Sequence, residues 1–341
     1  MTAVPSAPSI LSRIPAEDLP RVRRLVETAA LADGRPPLGE QVLLRLGPGP
    51  GGADSHVLLW VDDPRAGRVL AGYAHLDPRG GQGPVAELVV HPDHRGQGLG
   101  TVLVRALEGI AGRERLSLWA HGDGPAARAL AARTGLAASR LLHRWVRDLA
   151  ADLPDPALPG GIRLRTFRPG RDEGPWLALN ALAFATHPEQ GGWTAEDLRA
   201  RIAEPWFDPG GFLLAETDGP DGSPVLAGFH WTKIHENVPG LPPGPWEVRP
   251  GERIGEVYVV GVHPRHRGHG LGRALTVAGL HRLRAAGPRL AMLYVDGDNH
   301  PAQAVYRSLD FQHGDTDVLF VRPAIDRTGP GTVPDPEAPG E

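Results

Sequence analysis

The strongest constraint on this chain is that one device occurs in it twice. Late in the sequence stands Glu256-Val-Tyr-Val-Val-Gly-Val-His-Pro-Arg-His-Arg-Gly-His-Gly-Leu-Gly-Arg273. It reads as an apolar β-branched strand, a basic glycine-rich turn and the first turn of a helix that runs on to Arg284. Earlier stands Glu87-Leu-Val-Val-His-Pro-Asp-His-Arg-Gly-Gln-Gly-Leu-Gly100. His91-Pro92 matches His263-Pro264, and Arg95, Gly96, Gly98, Leu99 and Gly100 match Arg267, Gly268, Gly270, Leu271 and Gly272 at one constant offset. Each copy leads through a helix to another apolar strand, Arg115 to Trp119 and Arg289 to Tyr294. Repetition on this scale predicts two similar domains of ordinary size.

The turn itself predicts an anion site. Amides at a helix N-terminus lack internal partners and carry partial positive charge, so a pyrophosphate is their natural guest. A Walker loop is excluded, because no Gly-Lys-Ser/Thr follows Gly272. A dinucleotide fold places its glycine turn on the first strand of a βαβ unit, with an acid about 20 residues on. Here the turn comes late, and Arg284 and Ala285 stand near where that acid belongs. The third reading fits: Arg267-Gly-His-Gly-Leu-Gly272 resembles the acyl-CoA loop of the GNAT acetyltransferases, Arg/Gln-x-x-Gly-x-Gly/Ala between a strand and a helix. The resemblance implies an α/β fold, with an α+β mixed sheet in each of two tandem GNAT domains. It also implies that the parallel strands flanking the loop-borne helix splay apart to admit a pantetheine arm.

Composition bounds the rest. The chain has 341 residues, enough for two cores, and a net charge of −4, which gives no support to a nucleic-acid surface. It has no cysteine, which excludes disulfides and thiol nucleophiles and fits a reducing compartment. No signal peptide or membrane-spanning run is expected, so the chain reads as cytoplasmic and free of membrane, and a monomer is expected. No metal site is expected; His266, His269 and His281 read as a solvated basic face. Lys233 is the only lysine in an arginine-rich chain.

In order, residues 15–30 have helical spacing, 56–61 and 69–75 read as strands, and 84–91 leads into the first loop and its helix to Gly112. A short helix follows over 125–133, and 140–147 closes the first domain, taken as 1–150. Asp152 to Gly161 is Pro/Gly-rich and acidic, hence a linker over 151–161. The second domain is taken as 162–326. It has helices over 174–185 and 195–203, strands over 211–216 and 225–234, a long Pro/Gly insertion over 236–251, a helix over 301–309 and a last strand over 317–321. Residues 327–341 read as a disordered tail.

Acyl transfer to an amine needs a base for the ammonium and gains from an acid for the departing thiolate. Glu256 lies two residues before Tyr258 on the central strand, so both face one side. By GNAT resemblance, a Tyr on the helix after the next strand stands near the CoA sulfur, and Asp298-Asn-His-Pro-Ala-Gln-Ala-Val-Tyr306 fits that pattern. Glu256 and Tyr306 are therefore the expected base and acid. In the first copy Pro84 stands opposite Glu256 and Ala131 opposite Tyr306. Glu87, three residues from Pro84, is expected to face the other way on a regular strand. The first domain is thus expected to bind CoA without reacting. His91 and His263 are expected to be structural, and Trp193 and Trp231 to pack.

A closer resemblance covers most of the second domain. Ala183-Phe-Ala-Thr-His-Pro-Glu-Gln-Gly191, Trp231-Thr-Lys-Ile-His235, Gly255 to Pro264 and Leu293-Tyr-Val-Asp-Gly-Asp-Asn299 are similar to the mycothiol acetyltransferase (mycothiol synthase) family. That family moves acetyl from acetyl-CoA to the cysteinyl amine of cysteinyl-glucosaminyl-inositol, the last step of mycothiol biosynthesis. The resemblance implies that Glu40, Glu189, Lys233, Glu256 and Tyr294 contact this substrate. It places acetyl-CoA along Val259, Val260 and Gly261, on His266, Arg267, Gly268, His269, Gly270, Leu271 and Gly272, and beside Asn299, His300, Pro301, Ala302, Gln303 and Ala304. In the first domain Leu88, Val89, Val90, Gly96, Gln97, Gly98, Leu99, Gly100 and Thr101 correspond. Because Glu40 belongs to the first domain, the two halves must pack together. Two alternatives stay open: a GNAT enzyme acetylating an aminoglycoside or a protein N-terminus, and a non-catalytic CoA sensor.

Overall fold

The computed structural model describes residues 4–46, 53–64, 67–185, 187, 190–236 and 251–324. The first half begins with strands β1 (Val4–Pro5) and β2 (Ser9–Leu11), then helices α1 (Leu19–Asp33) and α2 (Glu40–Arg45). Strands β3 (Ser55–Asp63), β4 (Gly67–Asp77) and β5 (Val85–Val90) follow, then α3 (Leu99–Ala111), β6 (Leu116–Ala120), α4 (Pro125–Thr134) and β7 (Ala137–Asp148). The second half repeats the pattern. It runs β8 (Arg163–Thr166), α5 (Glu173–Ala183), α6 (Ala195–Ile202), β9 (Phe212–Asp218), β10 (Pro224–His235), β11 (Ile254–Val262), α7 (Leu271–Ala286), β12 (Leu290–Asp296), α8 (His300–Arg307) and β13 (Gln312–Arg322). Three short elements escaped the sequence reading of the N-terminal region. Strands β1 and β2 cover two and three residues, and α2 covers six, all too short to show a period.

The halves share one sheet. Its order is β1-β3-β4-β5-β6-β13-β7-β12-β11-β10-β9-β8, with β2 also paired to β3. The last strand of each half has crossed over. Strand β7 pairs antiparallel with β12 from Leu142 opposite Asp296 to Asp148 opposite Leu290. Strand β13 pairs antiparallel with β6, Val318 opposite Ala120. The two exchanged strands also pair with each other, Gln312 opposite Val146 through Val321 opposite Ala137. The stretch expected to close the first half therefore flanks the second half's sheet, and the reverse. An exchanged strand satisfies its neighbour's ladder as well as a native one would, so backbone pairing alone does not forbid it.

Separate cores lie on the faces of this sheet. In the first half, Leu103, Val104 and Leu107 of α3 pack on Val57, Leu59, Ala71, Ala86 and Leu118. In the second, α7 buries Val277, Leu280 and Leu283 on Val257, Ala291 and Leu293. The opposite face of the second half is aromatic: Phe167, Trp176, Phe212, Phe229 and Trp231 form a buried cluster. Phe212 stacks on Trp231 with centroids 4.4 Å apart and on Phe167 at 4.5 Å. Such pairs add about 0.5–1.5 kcal/mol each beyond area burial. Among the described residues no helix is long and apolar enough to cross a membrane.

Candidate active site

Strands β11 and β12 run parallel and part company half-way. They pair from Ile254 opposite Leu290 to Val257 opposite Leu293, and no pairing continues beyond. Tyr258 to Val262 and Tyr294 to Asp296 thus border a wedge-shaped gap. The first half repeats it: β5 and β6 pair only from Val85 opposite Ser117 to Glu87 opposite Trp119. Leu88, Val89 and Val90 line that second opening. The expected splay is present in both halves.

A glycine turn closes each gap. Gly268 and Gly270 have φ of 79° and 80°, and Gly96 and Gly98 have 74° and 85°. These are left-handed conformations that L-residues with a Cβ avoid. A Cβ on any of the four would meet nothing within 4 Å, so conformation and not crowding requires glycine. Gly270 and Gly98 are the N-caps of α7 and α3, with no side-chain cap on either helix. Leu271 and Leu99 anchor the two helices in their cores. The residues therefore fit a coenzyme: parted strands for an extended arm, uncapped amides for a diphosphate. His91 and His263 are structural as expected, their Nδ1 atoms accepting from the amides of Asp93 and Arg265 at 3.3 and 3.2 Å.

The two loops differ in charge. The second carries Arg265, His266, Arg267, His269 and Arg273. The first has Asp93 and Gln97 at two of these positions, and its Arg95 is held by Asp33 at 2.6 and 2.9 Å. Arg267 instead donates to the Ala183 carbonyl at 2.7 Å. In the segment beside the second loop, Asn299 caps α8 by accepting from the Ala302 amide at 3.2 Å. Gln303 is buried and donates to the carbonyls of Asp296 and Gly297. Those two side chains build the segment, and Asn299, His300, Pro301 and Ala304 are its exposed members.

A bulge organises the substrate face. Trp231 lies opposite Val259 and Thr232 opposite Val257, which leaves Tyr258 without a partner on β10. Bulges of this kind re-aim side chains and recur beside active sites. Val257 packs towards α7, whereas Tyr258 and Val259 both join the aromatic cluster. Glu256, preceding Val257, shares the side of Tyr258, as alternation predicted. The same bulge corrects the reading of Glu87. The constant offset sets Glu87 against Val259, and the bulge turns Val259 to Glu256's side. Glu87 therefore lies on the equivalent face of the first half, not on the reverse.

On the second half's substrate face, both halves meet. Glu40, at the N-terminus of α2, forms an ion pair with Lys233 and accepts from the Tyr258 hydroxyl at 2.6 Å. Arg201 of α6 donates to Tyr258 at 2.7 Å and to Gln41 at 2.7 Å. Lys233 sits over the Trp206 ring at 4.4 Å, and Arg201 over Trp193 at 3.9 Å. Burial works against the Glu40 charge, but Lys233, Tyr258 and Arg201 outweigh it and hold the carboxyl below its usual range. Burial, reinforced by Glu40, pushes the Tyr258 phenol well up. Lys233 stands opposite Glu256 across the ladder, and Glu256 stands opposite Met292, two residues before Tyr294. Tyr294 is 40% exposed and lies beside Arg144 of β7. Glu40, Lys233, Glu256 and Tyr294 are thus gathered on one face. Glu189 lies outside the described residues.

Tyr306 is on the other face. It packs on the core formed by α7, β11 and β12, with the Phe311 ring at 5.8 Å. Burial pushes its phenol up to about 12. Glu256, two residues before Tyr258 where the strands part, and Tyr306 therefore lie on opposite sides of the sheet.

The first half offers no such pair. Ala131 is buried in the α3 core. Glu87 accepts from His121 at 2.9 Å and from the Gly39 amide at 2.5 Å. His121 also meets Asp317 of the exchanged strand at 3.2 Å. The sequence reading missed Tyr258, Arg201, Arg144 and His235, the last within 2.5 Å of Glu256. A signal for His235 was present: Phe229, Trp231, Lys233 and His235 alternate on β10, so one face carries all four.

Known proteins share this architecture. A model described as the acetyltransferase (GNAT) family matches residues 37–136 and 176–311. A mycothiol acetyltransferase from Acidothermus cellulolyticus is 52% identical over 307 residues, 89% of this chain and 91% of the relative. One from Streptomyces coelicolor is 47% identical over 321 residues, 93% and 95% of the two chains. Among solved structures, a GCN5-related N-acetyltransferase from Sphaerobacter thermophilus superposes with TM-score 0.63 at 26% identity, over 95% of this chain and 98% of that one. A tandem GNAT protein from the clavulanic acid biosynthesis pathway shares the fold, with TM-score 0.62 at 22% identity over 95% and 100%. Two copies of one fold, two glycine turns beside parted strands and these identities lead to one conclusion: the chain belongs to the mycothiol acetyltransferases, within the GNAT family.

Proposed function

We propose that this protein transfers acetyl from acetyl-CoA to the cysteinyl amine of cysteinyl-glucosaminyl-inositol, completing mycothiol, by direct attack in a ternary complex. The observation that carries the reading is the gathering of Glu40, Lys233, Glu256 and Tyr294 on one face of the β11–β12 gap. Carboxylates, an ammonium and a phenol suit a substrate rich in hydroxyls that carries one ammonium. When bound, acetyl-CoA supplies an activated thioester in the gap. Glu256 takes the proton from the ammonium and frees its lone pair. The C–N bond then forms as the C–S bond breaks, Tyr306 gives its proton to the sulfur, and the surplus proton of the new amide nitrogen leaves to water, which in turn reprotonates Tyr306. Glu40, Lys233 and Tyr294 hold the sugar and inositol, and Glu189 is a further substrate contact. The backbone of Val259, Val260 and Gly261, the loop from His266 to Gly272 and the segment from Asn299 to Ala304 hold the coenzyme.

In this reading residues 162–326 carry the chemistry, and residues 1–150 bind CoA at Leu88 to Val90 and Gly96 to Thr101 without turning it over. Residues 151–161 connect them, and 327–341 take no part. One chain supplies both Glu40 and Glu256, so a monomer suffices, working in the cytoplasm away from membranes. The test is release of free thiol from acetyl-CoA with cysteinyl-glucosaminyl-inositol, against aminoglycosides and peptides, with mass spectrometry of the product. Release with the first alone and an N-acetylated cysteinyl product is expected. Release only with the others would move the chain to another amine, and release with none would leave a sensor.

A further inference from the structure

We infer that His235 is a positioning residue for Glu256, an inference that rests on Glu256 being the base. The His235 ring reaches Glu256 with Nε2 at 2.5 Å from Oε2. An ionised carboxylate only accepts, so Nε2 carries the proton and donates it. That bond engages one carboxylate oxygen and leaves Oε1 for the ammonium of the acceptor. It also fixes the plane of a side chain that stands on a strand just before a bulge, where the backbone alone sets its aim loosely.

The surroundings make the pair distinct. The side chain of His235 is 27% exposed and that of Glu256 is 9% exposed, so the imidazole is the more accessible of the two. Charged neighbours on this face are otherwise engaged. Lys233, two residues back on β10, is paired with Glu40. Glu236, the next residue, is paired with Arg253 at 2.9 Å. Across the gap Tyr294 faces Glu256, with Arg144 and Asp317 behind it. Among the described residues, His235 is thus the group that holds Glu256. The two side chains share this hydrogen bond, so removing the imidazole alters the base itself, a change that a pH profile reads and a loss of packing would not produce.

A double-mutant cycle with pH profiles tests this. His235→Ala should lower kcat roughly 10- to 100-fold, the cost of a misaimed reacting group. It should leave the KM for acetyl-CoA unchanged and move the acidic limb of kcat/KM. His235→Gln, which keeps an N–H donor, should recover part of the rate and serves if the alanine variant does not fold. In a Glu256→Gln background the His235 change should add nothing, because the two act as one unit. Full additivity, or an unmoved pH profile in both His235 variants, would overturn the inference. An active Glu256→Gln enzyme would instead overturn the assignment of the base.

Discussion

At the residue scale, the expected roles of Glu256 and Tyr306 differ in size. Glu256→Gln removes the only proton acceptor proposed, and kcat should fall about 10²- to 10⁴-fold. Tyr306→Phe should cost less, about tenfold, because a thiolate with an ordinary pKa near 8.5 leaves tolerably unaided. Burial raises the Tyr306 phenol to about 12, so it stays protonated across the neutral range and serves as a donor only. Thiol release against pH should therefore show no limb from Tyr306 below about 10. Glu40→Ala should act differently: it strips a counter-charge from buried Lys233 and should raise the KM for the amine more than it lowers kcat, read from initial rates at saturating acetyl-CoA. Lys233, Glu256 and Tyr294 could be singled out from the sequence because the local stretches that carry the resemblance contain them, whereas Glu40 lies in none of those stretches. Arg201, Tyr258 and Arg144 could not, because their partners lie far along the chain and a single bulged residue decides which way Tyr258 points. His235 sat in plain alternation with Lys233 and was passed over for want of a visible partner.

At the element scale, the repeat announced each strand, turn and helix but not which sheet the last strand of each half joins. Strands β7 and β13 follow equivalent helices, and either edge offers the same unpaired groups. The choice is made by distant contacts such as His121 with Asp317 and Arg35 with Asp315, 2.6 Å apart. The packing of α7 shows how tightly an element can be specified. Gly279 faces the ring of His230, whose Nδ1 is 2.7 Å from the Leu275 carbonyl. A Cβ on Gly279 would stand 2.0 Å from that ring. Replacing glycine by alanine inside a helix ordinarily gains up to about 1 kcal/mol. Here Gly279→Ala should instead cost about 1–3 kcal/mol through overpacking, measured by urea denaturation. A stabilised variant would mean that β10 and α7 can slide apart.

At the scale of the whole molecule, the exchange makes the halves one cooperative unit. Calorimetry should show a single unfolding transition, and a chain of residues 162–341 alone should be poorly soluble, since β12 would lack β7 along its edge. The junction also sets a pH dependence. Burial alone would lower His121, but Glu87 and Asp317 outweigh it and raise the imidazole to about 10. The stability it contributes is complete below its ordinary 6.5 and is lost as pH rises through about 10. The melting temperature should therefore fall across that window. His121→Asn should melt lower at neutral pH and show a flatter alkaline decline; an equally steep decline would move the effect to another group. The tandem architecture was legible from two glycine turns, whereas the joint between the copies rests on contacts between residues far apart in sequence, such as Arg35 with Asp315 and His121 with Asp317. Strand β6 is made well before its partner β13, with the second half up to α8 between them. During synthesis at about 5–20 residues per second, that edge waits on the order of ten seconds or more for its neighbour. The nascent first half thus leaves the ribosome as an open template, and a cell making this protein must shield it from its own copies on the same messenger.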